Sequence, residues 1–211
     1  MRLLLTIAAA LALAGGAEAA TVGAVHGTIV LNGKSVTSGG HDSAPVLSPD
    51  GKRIVFVRDM GGKPIKDCAA DASTATAQEL WTVGSDGRGA HRLLSLHGMQ
   101  DVKATLCAFN NPQFSSNGQL LYFDTPAWAT SGALHVYDFR TGKEHFLLPS
   151  NGTQVLSACA DKQYRDDLIV SQHRYFVFAG SYDWLWLFSP DGKEIGPVGE
   201  NDDMAKDACG P

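Results

Sequence analysis

Hydrophobic positions in this chain come in short bursts. Ala44–Leu47 is a brief apolar run that enters Ser48-Pro49-Asp50-Gly51, and Ile54–Val57 leaves that turn as a continuous β-branched and aromatic run. Pro49 presets φ for the first turn position, Asp50 can cap its own backbone, and Gly51 accepts positive φ. The pair predicts a hairpin. Gln78–Val83 then reads as a further strand closed by Ser85-Asp86-Gly87, with another around His91–Leu94. Helix-length amphipathic periodicity is nearly absent and turn signals are frequent, so the class is all-β.

The same order recurs along the chain. Thr21–Ser38 gives two or three strands around Asn32-Gly33, linked by Gly39–Ser43 to the first full unit, whose polar, small-residue-rich insertion covers 59–77. A second unit runs from Asn111–Phe114 through Ser116-Asn117-Gly118 to Leu120–Asp124. It continues through a connecting loop at 124–132 to Leu134–Asp138, Arg140-Thr141-Gly142 and His145–Leu148. In the third, Leu168–Ser171 and Tyr175–Phe178 are expected to flank a tight turn at Gln172-His173, followed by Trp184–Phe188 and Ser189-Pro190-Asp191-Gly192.

The Ser-Pro-Asp-Gly-Lys hairpin at 48–52, with Glu79–Val83 and Ser85-Asp86-Gly87 after it, resembles the hairpin that opens each blade of TolB-type, WD-repeat-like β-propellers. The resemblance implies a small or incomplete β-propeller of about three to four four-stranded blades. Its form is either a minimal ring, with a fourth sheet drawn partly from Thr21–Ser38, or an open arc. Strands in a blade alternate in direction, so first-to-second and third-to-fourth connections share one pole. On this reading every tight turn, from Asn32-Gly33 to Asp191-Gly192, lies at that pole. The connections 59–77, 95–110, 124–132 and 149–167, the tail after Gly199 and all four cysteines are expected at the other.

The N-terminus changes the setting. Met1-Arg2, the apolar stretch Leu3–Ala14 and Ala17-Glu18-Ala19 read as a secretory signal cut after Ala19. One domain of about 190 residues is left, placed in an exported, oxidising compartment, most simply a bacterial periplasm. The net charge of −5 and the lack of a basic cluster give no support to nucleic-acid binding. No later segment reaches membrane length. Cys68, Cys107, Cys159 and Cys209 form an even set without C-x-x-C or zinc spacing, so two disulfides are expected. Sequential pairing, Cys68–Cys107 and Cys159–Cys209, is the most economical of the three connectivities. Each bridge is worth roughly 4 kcal/mol in the chain-entropy model.

No catalytic elbow, zinc helix or phosphate loop is present, and no cofactor is implied. His135 and His145 straddle one turn and could approach each other, but a metal site needs a further ligand. Asp166-Asp167 and Glu200-Asn201-Asp202-Asp203 are acidic groups expected at the loop pole, where their field could attract a basic partner. Trp81, Trp184 and Trp186 sit in strand patterns and are expected in packing. Trp128 lies instead in the loop Pro126–Gly132, where an aromatic is a common anchor for protein recognition.

These features favour a non-enzymatic protein that binds another protein. A weaker resemblance is to periplasmic immunity proteins that neutralise cell-wall amidase effectors of type VI secretion. It rests on an exported small β-domain, the Ser-Pro-Asp-Gly-type hairpin and a Ser/Gly-bearing loop after the next strand. It implies that Thr125–Gly132, with Trp128, Thr130, Ser131 and Gly132, contacts a secreted peptidoglycan hydrolase and that Ser131 enters its cleft. Asp166 and Asp167 are expected to assist at the same pole. Two alternatives stand beside this. One is a propeller enzyme or carbohydrate-binding protein using His41, His173, Asp166 and Asp183. The other is an envelope accessory protein of TolB type.

Overall fold

The computed structural model describes residues 20–62, 68, 77–98 and 101–209. The expected signal segment and most of the 59–77 insertion lie outside them. Four antiparallel sheets follow one another along the chain, the first of three strands and the others of four. The first holds β1 (Val22–Val25), β2 (Thr28–Leu31) and β3 (Lys34–Ser35). The second holds β4 (Asp42–Leu47), β5 (Arg53–Gly61), β6 (Ala77–Gly84) and β7 (His91–Ser95). The third holds β8 (Asn110–Phe114), β9 (Leu120–Thr125), β10 (Gly132–Asp138) and β11 (Lys143–Ser150). The fourth holds β12 (Thr153–Val155), β13 (Leu168–Tyr175), β14 (Ser181–Phe188) and β15 (Glu194–Gly199), and a short helix, α1 (Asp203–Cys209), ends the chain.

The apolar runs are continuous because the sheets stack and bury both faces. On β5, Ile54 and Phe56 pack with Ile29 of the first sheet, whereas Val55 and Val57 turn the other way to meet Phe114, Leu121 and Phe123. On β9 and β10, Tyr122, Leu134 and Val136 face Leu168, Val170 and Phe188 of the fourth sheet. The far side of that last sheet is covered by the chain's own tail. Leu156, Cys159 and Ile169 pack there with Leu185, Leu187, Ala205 and Cys209. Among the described residues no apolar cluster joins the first sheet to the fourth. The sheets form an arc.

One turn chemistry is used three times. Ser48 Oγ donates to Asp50 Oδ1 at 2.6 Å and accepts from the Arg53 amide at 3.0 Å, and Gly51 takes φ 70°. Ser115 repeats both bonds with Asn117 Oδ1 (2.8 Å) and the Leu120 amide (3.0 Å). Ser189 repeats them with Asp191 and the Lys193 amide. The recurring unit is therefore Ser-x-Asx-Gly, and its serine is as integral to it as the Pro-Asp-Gly that follows.

The last sheet departs from the sequence reading. No turn occurs at Gln172-His173: β13 runs unbroken from Leu168 to Tyr175, and the chain reverses at 176–180, where Gly180 has φ 85°. Gln-His offers neither positive φ nor a backbone cap, whereas Ala179-Gly180 does. The first strand of this sheet is Thr153–Val155, inside the stretch 149–167 expected to be one loop. A three-residue strand is too short to show alternation. Its presence makes 156–167 a first-to-second connection, which belongs to the pole of the tight turns. Ser116, in the β8–β9 turn, holds it there by donating its hydroxyl to Asp166 Oδ2 at 2.6 Å.

The two disulfides are Cys68–Cys107 and Cys159–Cys209. Such bridges are compatible with an exported protein. Cys68–Cys107 joins the β5–β6 and β7–β8 connections at the loop pole. Cys159 lies in the 156–167 connection and Cys209 in α1, folded back over the outer face of the fourth sheet. Cys159 thus leaves the loop pole, contrary to the expected gathering of all four cysteines there. Asp166 and Asp167 also stand away from the loop pole, where they were expected.

A half-buried ion pair, with its carboxylate fully buried, fixes the entrance to the second sheet. Arg58 Nε and Nη2 donate to the two oxygens of Asp42 at 2.6 and 3.0 Å, and the guanidinium lies 4.5 Å from the Trp81 ring centre. Asp42→Ala removes both hydrogen bonds to that guanidinium and should destabilise the protein by about 1–3 kcal/mol in chemical denaturation. A second test concerns the repeated turn. The Ser48 hydroxyl, and then the Lys52 amide, hold the Asp50 carboxyl below its ordinary value, so the ionised network persists at neutral pH and is lost as pH falls through that depressed value. In an NMR pH titration, Ser48→Ala should move the Asp50 midpoint up towards the ordinary aspartate value.

Candidate functional site

Two connections at the loop pole carry exposed apolar side chains. The β9–β10 loop, Pro126–Ser131, closes on itself through the Trp128 amide, which donates to the Ser131 carbonyl at 2.7 Å. Asn151 clamps it from the next crossover: its side-chain oxygen accepts from the Gly132 amide (3.1 Å) and its Nδ2 donates to the Thr130 carbonyl (3.0 Å). Gly132 is required by this closeness, since a Cβ there would meet Ser150 O at 2.8 Å and Thr125 O at 2.9 Å. Trp128 leans edge-on towards Phe146 with ring centres 6.1 Å apart and is 37% exposed. Ser131 Oγ donates to the Gly132 carbonyl at 2.9 Å and is only half-exposed. Of the four residues expected to meet a partner here, Trp128 and Thr130 stand outward, while Ser131 and Gly132 shape the loop.

The second connection is the larger feature and was missed in the sequence. β12 pairs with β13 only over Leu168–Val170, and β15 pairs with β14 only over Leu185–Phe188. The rest of the hairpin, Gln172–Tyr175 against Ser181–Trp184, is a two-stranded ribbon that projects past its sheet. Its end is apolar: Tyr175 is 67%, Phe176 58%, Val177 93% and Phe178 100% exposed. A bare two-stranded ribbon is marginal in water, and ring contacts steady this one. Phe176 and Tyr182 lie 4.7 Å apart, Tyr182 and Trp184 5.2 Å, and Tyr175 stands edge-on to His173 at 5.0 Å. Trp184, expected in packing, therefore sits on the exposed ribbon, whereas Trp186 packs against the third sheet. The legible signal was Tyr-Phe-Val-Phe followed by Ala-Gly, an apolar run ending in a turn residue.

The two connections are joined through the crossover between the third and fourth sheets. Asn151 N–H donates to the Ser171 carbonyl at 2.8 Å, and Gln172 Nε2 donates to the Pro149 carbonyl at 2.7 Å. Beside the β9–β10 loop lies an open dent of about 350 Å³, lined by residues that include Asn110, Asp124, Pro126, Ser150 and Asn151. Burial raises the Asp124 carboxyl above its ordinary value, opposed by hydrogen bonds from Ser150 and Thr153.

The acidic pair expected to assist is elsewhere. Asp166, with φ 71°, is taken by Ser116, and Asp167 is buried, where desolvation and then the Asp166 charge raise its carboxyl. His135 is buried with Nδ1 bonded to Glu144, while His145 pairs opposite Val136 on the other face of the sheet and is exposed. The suggested histidine pair does not meet. His173 and Asp183 do meet, at 2.9 Å on the ribbon, but Asp166 lies at the opposite pole, so the residues considered for an enzyme do not converge. Among the described residues no group of three or more His, Cys, Asp and Glu is arranged to hold a metal. No helix among them is long and apolar enough to cross a membrane.

The structure is similar to the β-propeller domain of the Trilobed protease from Pyrococcus furiosus, with a TM-score of 0.51 and 14% identity over 82% of this chain and 49% of that one. The chain has a β-propeller fold. A putative TolB from Agrobacterium tumefaciens scores 0.47 at 13% identity, over 82% of this chain and 58% of that one. A gluconolactonase from Xanthomonas campestris scores 0.47 at 17% identity, over 82% and 56%. The propeller described here spans about half the length of these solved structures. No protein-family profile matches the chain, and no curated relative does.

The geometry separates two kinds of loop residue. Gly132→Ala should cost about 1–3 kcal/mol through the carbonyl clashes above. Phe178→Ser should leave stability within about 0.5 kcal/mol, because nothing in the fold leans on that side chain. Thermal unfolding of the two variants checks both.

Proposed function

We propose that this chain is a non-enzymatic, exported protein-binding module that meets its partner with the pole carrying Trp128 and the β13–β14 ribbon. The observation that supports this reading is the set of exposed apolar side chains held on a cross-linked sheet scaffold. Contiguous apolar surface of this kind marks interaction sites, and loops fixed on rigid supports are where recognition is placed. Both connections are pre-ordered by hydrogen bonds and ring contacts, which lowers the entropy cost of association.

The finer form of the proposal is that the partner is a secreted peptidoglycan hydrolase and that the β9–β10 loop enters its cleft. It rests on the weaker resemblance to immunity proteins. Within that form Trp128, rather than Ser131, is the side chain offered to the cleft, because the Ser131 hydroxyl is turned to its own backbone. Titration calorimetry with the hydrolases secreted by the same organism tests both levels. Binding by one of them, weakened roughly 30-fold by Trp128→Ala, is the expected result. Binding unchanged by Trp128→Ala together with Ser131→Tyr would remove the loop-insertion form.

A further inference from the structure

The partner's chemistry can be taken further from the ribbon itself. We infer that the β13–β14 ribbon is the main anchor of the interface, and that it seats in an apolar pocket of a partner protein rimmed by Lys or Arg. This rests on the binding-module reading and deepens it.

Residues 175–182, Tyr-Phe-Val-Phe-Ala-Gly-Ser-Tyr, carry no charge. Val177 and Phe178 at the end stand in solvent, while the rings of Phe176, Tyr182 and Trp184 behind them are already set against one another. An uncharged tip on a pre-ordered stem fits a pocket. The charged groups on the ribbon stem are unequally engaged. Arg174, the cation at the base of the tip, is consumed internally: it donates to Gln172 Oε1 at 2.8 and 2.6 Å, reaches Glu194 at 2.7 Å and stacks 3.5 Å from the Trp186 ring centre. On the other shoulder Asp183 is two-thirds exposed beside His173. Gly199 pairs with Leu185, so the exposed Glu200 leaves the sheet next to the ribbon stem. The tip is therefore apolar, with the exposed carboxylates of Asp183 and Glu200 beside its stem, on a chain of net charge −5. That field draws a basic rim and repels an anionic bilayer, which is why a protein pocket is favoured over a lipid surface.

The test replaces Phe178 with the photo-crosslinking residue benzoylphenylalanine in the full chain, in the cells that make it. The same residue at Trp128, and at Val25 on the first sheet, gives comparison positions. The expected result is a single protein adduct from position 178, identified by mass spectrometry and absent from position 25. Its yield should fall roughly tenfold with Asp183→Lys plus Glu200→Lys, and clearly with the milder Asp183→Asn plus Glu200→Gln, while both variants melt like the parent. Purified protein should not float with phosphatidylcholine or phosphatidylglycerol vesicles. Lipid adducts or flotation, an adduct with a second copy of the chain, or a yield indifferent to both charge changes would overturn the inference. An adduct from position 128 alone would overturn the ribbon anchor and leave the binding-module reading standing. No adduct from either position would remove both.

Discussion

A strand with apolar side chains on both faces cannot be left against water; it requires packing on each side of it. This constraint organises the molecule. Ile54 and Phe56 look one way from β5, Val55 and Val57 the other, and both pairs are buried. The third sheet repeats the arrangement with Leu121 and Phe123 against Tyr122. Stacking solves the problem for interior sheets and passes it to the ends. A closed ring has no ends, but an arc has two, and each must be finished by other means.

The two finishes differ. The first sheet is short and its outer side mixes Thr21, Gly23, Thr28 and Ser35 with Val25 and Val30, a face that water can wet. The fourth sheet is apolar outside, at Ile169, Leu185 and Leu187, and is covered by the 156–167 connection and α1, tied by Cys159–Cys209. This covering draws the acidic pair Asp166-Asp167 towards the tight turns. It also leaves the ribbon of β13 and β14 to extend past strands that stop short of it.

Legibility followed the strength of local chemistry. The hairpins at Asp50-Gly51, Asn117-Gly118 and Asp191-Gly192 could be read from sequence because turn residues, a capping serine and flanking apolar runs all agree there. The all-β class and the propeller-like order followed from them. The last sheet was misread because its cues conflict. Thr153–Val155 is too brief to show a period, and Tyr175–Phe178 has the composition of a core strand while being exposed. That single conflict displaced one strand and with it the polarity of Cys159, Asp166 and Asp167. At the candidate surface, Trp128 was legible as an aromatic among turn-forming residues. The ribbon was not, since its projection depends on where β12 and β15 stop, and partner strand lengths are not local information.

The cover over the fourth sheet also has a chemical dependence. α1 spans only Asp203–Cys209, too few residues to hold a helix unaided in water, so its seat depends on the cystine as well as on Ala205 and Cys209 packing. Reduction of that bond removes the tether that holds the cover on the outer wall of the terminal sheet. The finish of the fourth sheet is thereby coupled to the redox state of its surroundings: the outer wall is held shut only where the cystine can form.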